Sequence, residues 1–128
     1  MASPKLTPLE LQIMDVLWTQ GPCAVREVQE QFPEDGRPAY TTVQTVMYRL
    51  ETKEAVRRTK KIGNAHIFEA VASRVSVQRR LLDELLGLFG GRAQPMMAYL
   101  AETGQLTMDD VREAERVVQD LEEKGKRS

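Results

Sequence analysis

Apolar positions along the chain recur at helical spacing, shift to a shorter period near residue 56, and return to helical spacing after residue 73. The first helix opens at Thr7-Pro8-Leu9-Glu10. Thr7 can cap it, Pro8 suits the first helical position, and Glu10 can return a bond to the cap. Ile13, Met14, Leu17 and Trp18 lie on its buried side, and Gly21-Pro22 ends it. Cys23-Ala24 reads as a short extended link or as one strand of a small sheet. A second helix from about Val25 to Phe32 turns Val25, Val28 and Phe32 inward, and residues 33–38 are turn formers throughout.

The third helix, Tyr40 to Lys53, has the most informative pattern. At about 100° per residue, Val43, Val46, Met47 and Leu50 share one side. Thr41, Gln44, Thr45, Tyr48 and Thr52 fall opposite, flanked by Thr42 and Arg49. That outer face holds no carboxylate, whereas an ordinary solvated helix mixes Glu with Lys. Hydroxyls, an amide and a phenol hydrogen-bond well to base edges and phosphate oxygens. A polar face of merely unusual composition fits the same pattern, so the neighbouring segments decide.

From Val56 the period shortens. Val56 to Lys60 reads as a strand, Lys61 to Asn64 as a turn, and Ala65 to Ala70 as the returning strand. An isolated hairpin is marginal in water, so this one must pack on the helices, with Ile67 and Phe68 available to do so. Three short helices and a hairpin make residues 1–72 a mainly α winged helix-turn-helix, with the wing at 56–70. In that arrangement the third helix enters the major groove, and the wing lies along phosphates or at the adjacent minor groove. Arg57, Arg58, Lys60 and Lys61 would serve the backbone there.

Residues 73–128 read as a second, helical domain. Ser76 to Phe89 is apolar over more than one face, Gly90-Gly91 breaks it, and Gln94 to Glu102 forms a short helix ended by Gly104. Thr107-Met108-Asp109-Asp110 caps a last helix with the stripe Val111, Ala114, Val117, Val118 and Leu121. Together with Leu81, Leu82, Leu85, Leu86, Phe89, Met97 and Leu100, this is more apolar surface than about fifty residues bury alone. A second copy would cover it across a two-fold interface. Folding back on the amino-terminal lobe is the other outlet.

Charge changes the picture once it is divided by region. The net charge of −1 conceals two bases against six acids in residues 1–36, seven against two in 37–66, and nine against eleven in 67–128. The +5 segment contains the third helix and the wing, the footprint of a polyanion partner inside an otherwise acidic chain. The composition, 41% hydrophobic and 29% charged, is that of a globular protein. No apolar run has membrane-spanning length and no signal-peptide core precedes the first helix, so a cytoplasmic location without membrane contact is expected. Cys23 is the only cysteine, which excludes an intrachain disulfide and a thiolate cluster within one chain. No cofactor or metal spacing is present.

The ordered set of motifs resembles the family of penicillinase and methicillin-resistance repressors (BlaI, MecI), with the copper repressor CopY as a relative. The resemblance rests on Leu6-Thr7-Pro8-Leu9-Glu10, Ile13-Met14-Asp15-Val16-Leu17-Trp18, Val25-Arg26-Glu27-Val28, Tyr40-Thr41-Thr42-Val43-Gln44-Thr45, Arg49-Leu50 and Phe89-Gly90-Gly91. It implies a homodimeric winged-helix repressor of bacterial type, bound to an inverted-repeat operator in double-stranded DNA. Its carboxy-terminal helices would intertwine, and Thr41, Thr42, Gln44, Thr45 and Arg49 would lie at the DNA. Three departures stand out. Lys53-Glu54-Ala55 replaces a common Lys-Gly after the recognition helix. Tyr99-Leu100 stands where lactam-responsive relatives carry an Asn-Phe bond cut by a protease, so a sensor protease as partner lacks its motif. The paired Cys-x-Cys of copper-responsive relatives has no counterpart.

Other classes fit less well. His66 has no nucleophile or carboxylate arranged around it in sequence, which argues against an enzyme. A winged-helix protein-interaction module without operator binding is the alternative, although such modules usually lose the basic wing. RNA readers rely on aromatic stacking motifs, and Tyr48 alone is not one.

Overall fold

The computed structural model describes residues 5–127. The elements run α1 (Pro8–Gln20), β1 (Cys23–Ala24), α2 (Val25–Glu30), α3 (Tyr40–Thr52), β2 (Val56–Ile62), β3 (Ala65–Ala70), α4 (Arg74–Leu88), α5 (Gln94–Glu102) and α6 (Met108–Arg127). The capping box at Thr7 forms as its residues suggest. The Thr7 amide donates to Glu10 Oε1 at 2.8 Å, and the Glu10 amide donates to Thr7 Oγ1 at 3.3 Å. Glu10 is fully buried, and its Oε1 also receives Lys53 Nζ at 2.7 Å. Lys53 donates in addition to the Lys5 carbonyl at 3.0 Å, so the start of α1 is tied to the end of α3. Burial alone would raise the Glu10 pKa. The bonds from Lys53 and Thr7 outweigh it and hold the carboxyl below its ordinary range.

Ile13, Met14 and Leu17 from α1 meet Val28 from α2, Val43, Val46, Met47 and Leu50 from α3, and Phe68 from β3 in one core. The helix α2 stops at Glu30, two residues before the sequence suggests, and Phe32 is only half-buried. The guanidinium of Arg37 explains the stop. It donates to the Phe32 carbonyl at 2.8 Å and to the Glu30 carbonyl at 3.2 Å, satisfying acceptors that the helix end leaves open.

Cys23-Ala24 is a strand. It completes a three-stranded antiparallel sheet of order β1-β3-β2, with Cys23 opposite Phe68 and Ala24 opposite Ile67. The Cys23 thiol is buried and donates to the Gly21 carbonyl at 3.3 Å. Burial first, and the Glu27 charge second, raise its pKa above the ordinary value, the mark of a packed and unreactive thiol. The hairpin is tighter than its residues suggest. Lys61 and Ile62 continue β2, and the loop is only Gly63-Asn64, with Gly63 at φ 60°. Glycine at the first position of a two-residue loop suits a type II′ hairpin turn, whose twist matches the strands. These elements form a winged helix-turn-helix.

The helix α3 ends without glycine. Glu54 takes φ 63°, the Glu54 amide donates to the Glu51 carbonyl at 3.0 Å, and the Ala55 amide donates to the Leu50 carbonyl at 2.9 Å. This is a Schellman stop, and the two residues that its outer bond joins, Ala55 and Leu50, are both fully buried. The Ala55 carbonyl then accepts the amides of Val71 at 2.8 Å and Ala72 at 3.1 Å. One strained residue therefore directs the chain into the wing and fixes where it returns.

The first turns of α4 belong to the amino-terminal unit, which ends at Leu82; a second unit begins at Asp83. Val77 is buried in the first core, and Leu81 packs against it. Arg74 pairs with Asp15 at 3.2 Å and stacks over Trp18, whose indole donates to the Ala72 carbonyl at 2.9 Å. The second unit, by contrast, has no buried residue among those described. In α6, Thr107 and Asp110 exchange capping bonds, and Arg116 bridges Glu113 and Asp120 on the polar side. No helix among the described residues is long and apolar enough to cross a membrane.

Two outcomes follow for stability. A carboxyl with a depressed folded pKa contributes stability above its unfolded value, and that contribution is lost as pH falls through the folded one. The melting temperature should therefore drop more steeply below about pH 4.3 in the native chain than in Glu10→Gln, which can still cap but cannot form the ion pair. Equal acid slopes in the two proteins would contradict the assignment. Glu54→Gly relieves about 1–2 kcal/mol of left-handed strain against a glycine entropy cost of about 0.5–1. It should raise unfolding free energy by about 0.5–1 kcal/mol in a urea titration.

Candidate nucleic-acid interface

The α3 face read from the sequence is present. Val43, Val46, Met47 and Leu50 are buried, Thr41, Thr42, Thr45, Tyr48 and Arg49 are exposed, and Gln44 is half-buried. Ala39 offers no side-chain cap, and no acid stands in the first turn. The amides opening α3 and the positive end of its dipole thus favour an anion. Thr52 bonds back to the Tyr48 carbonyl at 3.1 Å and is less available than its exposure suggests.

Gln44, Tyr48 and Glu51 follow one another along the edge of α3 that faces the wing. Gln44 Nε2 donates to the Tyr48 hydroxyl at 3.1 Å. Arg58 on β2 donates to Glu51 Oε2 at 2.9 Å, and its guanidinium lies 5.0 Å from the Tyr48 ring and 5.3 Å from the Phe68 ring. Thr41 and Thr45 lie outermost, and Thr42 and Arg49 lie on the far edge.

A β-bulge sits between Arg58 and Lys60. Without it Arg58 and Lys60 would share a face of the hairpin. With it, Arg58 opposite Phe68 and Lys61 opposite His66 lie on the face toward α3, and Arg57 opposite Glu69 and Lys60 opposite Ile67 lie on the other. Lys61 rather than Lys60 therefore shares the α3 side with Arg58, a reversal that simple alternation from Arg58 cannot reveal.

The positive charge available is smaller than the count in 37–66 indicates. Arg37 is engaged with carbonyls, Lys53 with Glu10, Arg58 with Glu51 and Arg57 with Glu69. Arg57 remains largely exposed, and a surface pair of this kind holds it weakly. Arg49, Lys60 and Lys61 have no ion-pair partner among the described residues. Sequence reasoning passed over Arg26, which stands in an acidic stretch. It lines a 480 Å³ groove between α2, α3 and the wing, with its guanidinium 5.4 Å from the Tyr40 ring. Gln44, Tyr48 and His66 line the same groove.

Among the residues read as dimer-forming, Leu81 is half-buried against the amino-terminal core. Leu82, Leu85, Phe89, Met97, Val117, Val118 and Leu121 are exposed, and Leu86, Leu100 and Val111 are half-buried. Leu88, Tyr99 and Met108 add exposed apolar surface.

The fold is a winged helix-turn-helix whose third helix exposes a polar face. The chain belongs to the penicillinase repressor family, whose model matches residues 6–120. It is 31% identical over 114 residues to the transcriptional regulator BlaI of Mycobacterium tuberculosis, in strains CDC 1551 / Oshkosh and ATCC 25618 / H37Rv. The match covers 86% of this chain and 82% of that protein. A MarR family regulator from Neisseria meningitidis is similar at a TM-score of 0.42 and 13% identity, over 85% of this chain and 81% of that one, too loosely to bear on function. Membership of a regulator family places the chain outside the enzymes.

Proposed function

We propose that the chain is a homodimeric, sequence-specific repressor that binds an inverted repeat in double-stranded DNA through α3 in the major groove. The observation that carries this reading is the exposed face of α3, free of carboxylates and uncapped at its start, beside Arg49, Lys60 and Lys61. Gln44 is the group for direct base readout, and Thr41, Thr42 and Thr45 share base and phosphate contacts. Arg49, Lys60 and Lys61, joined by Arg57, neutralise phosphates. The second unit supports the dimer, because it buries no described residue and leaves an apolar stripe along α6. Each copy takes one half-site, and the bound dimer excludes polymerase from the promoter.

The test uses duplexes that the full chain enriches from a randomised pool. Gln44→Ala should lose about tenfold of discrimination at one base pair per half-site, measured by fluorescence anisotropy. Lys60→Ala with Lys61→Ala should weaken all duplexes evenly and reduce the slope of log affinity against log salt by about 1.8 per half-site. A change of base preference in the double lysine variant would overturn this division of roles, and failure to enrich any sequence would overturn the function.

A further inference from the structure

The contacts between the wing and α3 form a continuous chain that ends on the proposed base-reading amide. Arg58 is held at one end by Glu51 Oε2 at 2.9 Å and lies over both the Tyr48 and Phe68 rings. Those rings are themselves 6.4 Å apart and tilted by 41°. Phe68 is fully buried, so the platform beneath Tyr48 is rigid. The Tyr48 hydroxyl, at the far end, receives Gln44 Nε2 at 3.1 Å.

We infer that Tyr48, fixed by Arg58 and Phe68, is a positioning residue that sets the orientation of the Gln44 amide and thereby the base that it reads. This rests on the proposed function. A glutamine amide on a flexible stem turns either its oxygen or its nitrogen toward a base, and the two choices select different bases. In this arrangement Tyr48 takes the N–H trans to the carbonyl, which leaves the carbonyl oxygen and the cis N–H side by side. That acceptor-donor pair complements the N6 and N7 edge of adenine. The role of Arg58 changes accordingly. Its charge is matched by Glu51 and its guanidinium lies over two aromatic rings, so it shapes specificity rather than neutralising a phosphate.

The experiment compares the full native chain with Tyr48→Phe and Arg58→Met on the duplexes that the native chain enriches from a randomised pool. It also uses derivatives changed at the base pair whose discrimination Gln44→Ala abolishes. That base pair should be A·T in the native selection. Tyr48→Phe keeps the ring and removes only the hydroxyl. It should lose about tenfold of discrimination at that base pair alone, with melting temperature and salt slope unchanged. Arg58→Met should lose discrimination at the same position and leave the salt slope unchanged. Three results would each overturn the inference: native discrimination in Tyr48→Phe, an even loss of affinity across all duplexes, or a salt slope reduced by about 0.9 per half-site in Arg58→Met, which marks a phosphate contact. A native chain that enriches no sequence would refute the proposed function instead, and the inference with it.

Discussion

Burial of the Val43, Val46, Met47 and Leu50 edge of α3 is the constraint on which the rest depends. Three of these side chains are wholly inaccessible and Val46 is nearly so, and each large apolar side chain contributes roughly 1.5–3 kcal/mol when taken out of water. With that edge fixed against α1, α2 and the sheet, the 3.6-residue period leaves no choice about the opposite face. Thr41, Gln44, Thr45 and Tyr48 must point outward. The same helix is then held at its carboxy end by two devices, the Lys53 to Glu10 pair and the left-handed stop at Glu54. The first ties α3 to the start of α1, and the second sets the direction of the wing. The proposed reading face, the helix end and the wing are therefore consequences of one packed edge.

Electrostatics refine this geometry rather than create it. Ion-paired cations such as Lys53 and Arg58 hold elements together, whereas Arg49, Lys60 and Lys61 have no ion-pair partner among the described residues and lie on the surface where the proposed polyanion would approach. The β-bulge at Thr59 turns Lys61 instead of Lys60 to the face that carries Arg58, so the lysine beside α3 at the wing tip is not the one a regular strand would place there.

Much of this was legible in the sequence, for local reasons. The Thr7 capping box, the buried edge of α3, the bounds of α5 and the Thr107 cap depend on neighbours three or four residues apart, which periodicity detects. What escaped depends on partners distant in sequence. Nothing near Lys53 or Arg58 announces Glu10 or the Phe68 ring, so the count of bases in 37–66 overstated the charge free for a ligand. The bulge breaks alternation without any marker residue, and β2 runs on to Ile62 through residues that read as the start of the turn. Arg26 was hidden by surrounding acids. Val77 and Leu81 read like the rest of an apolar helix, yet they pack on the amino-terminal core. The absent glycine after α3 was visible, and Glu54 in the left-handed region is its physical consequence.

The second unit explains why the reading face is proposed to work in pairs. Its last helix, α6, is capped and internally ion-paired, but the unit buries none of its described apolar side chains in a single chain. Hydroxyl-radical footprinting of the full chain on a duplex enriched from a randomised pool tests this claim most directly. Two equivalent protected patches are expected, related by a two-fold axis and separated by about 10 base pairs or a multiple of that. A single patch saturating with one chain per duplex would contradict it.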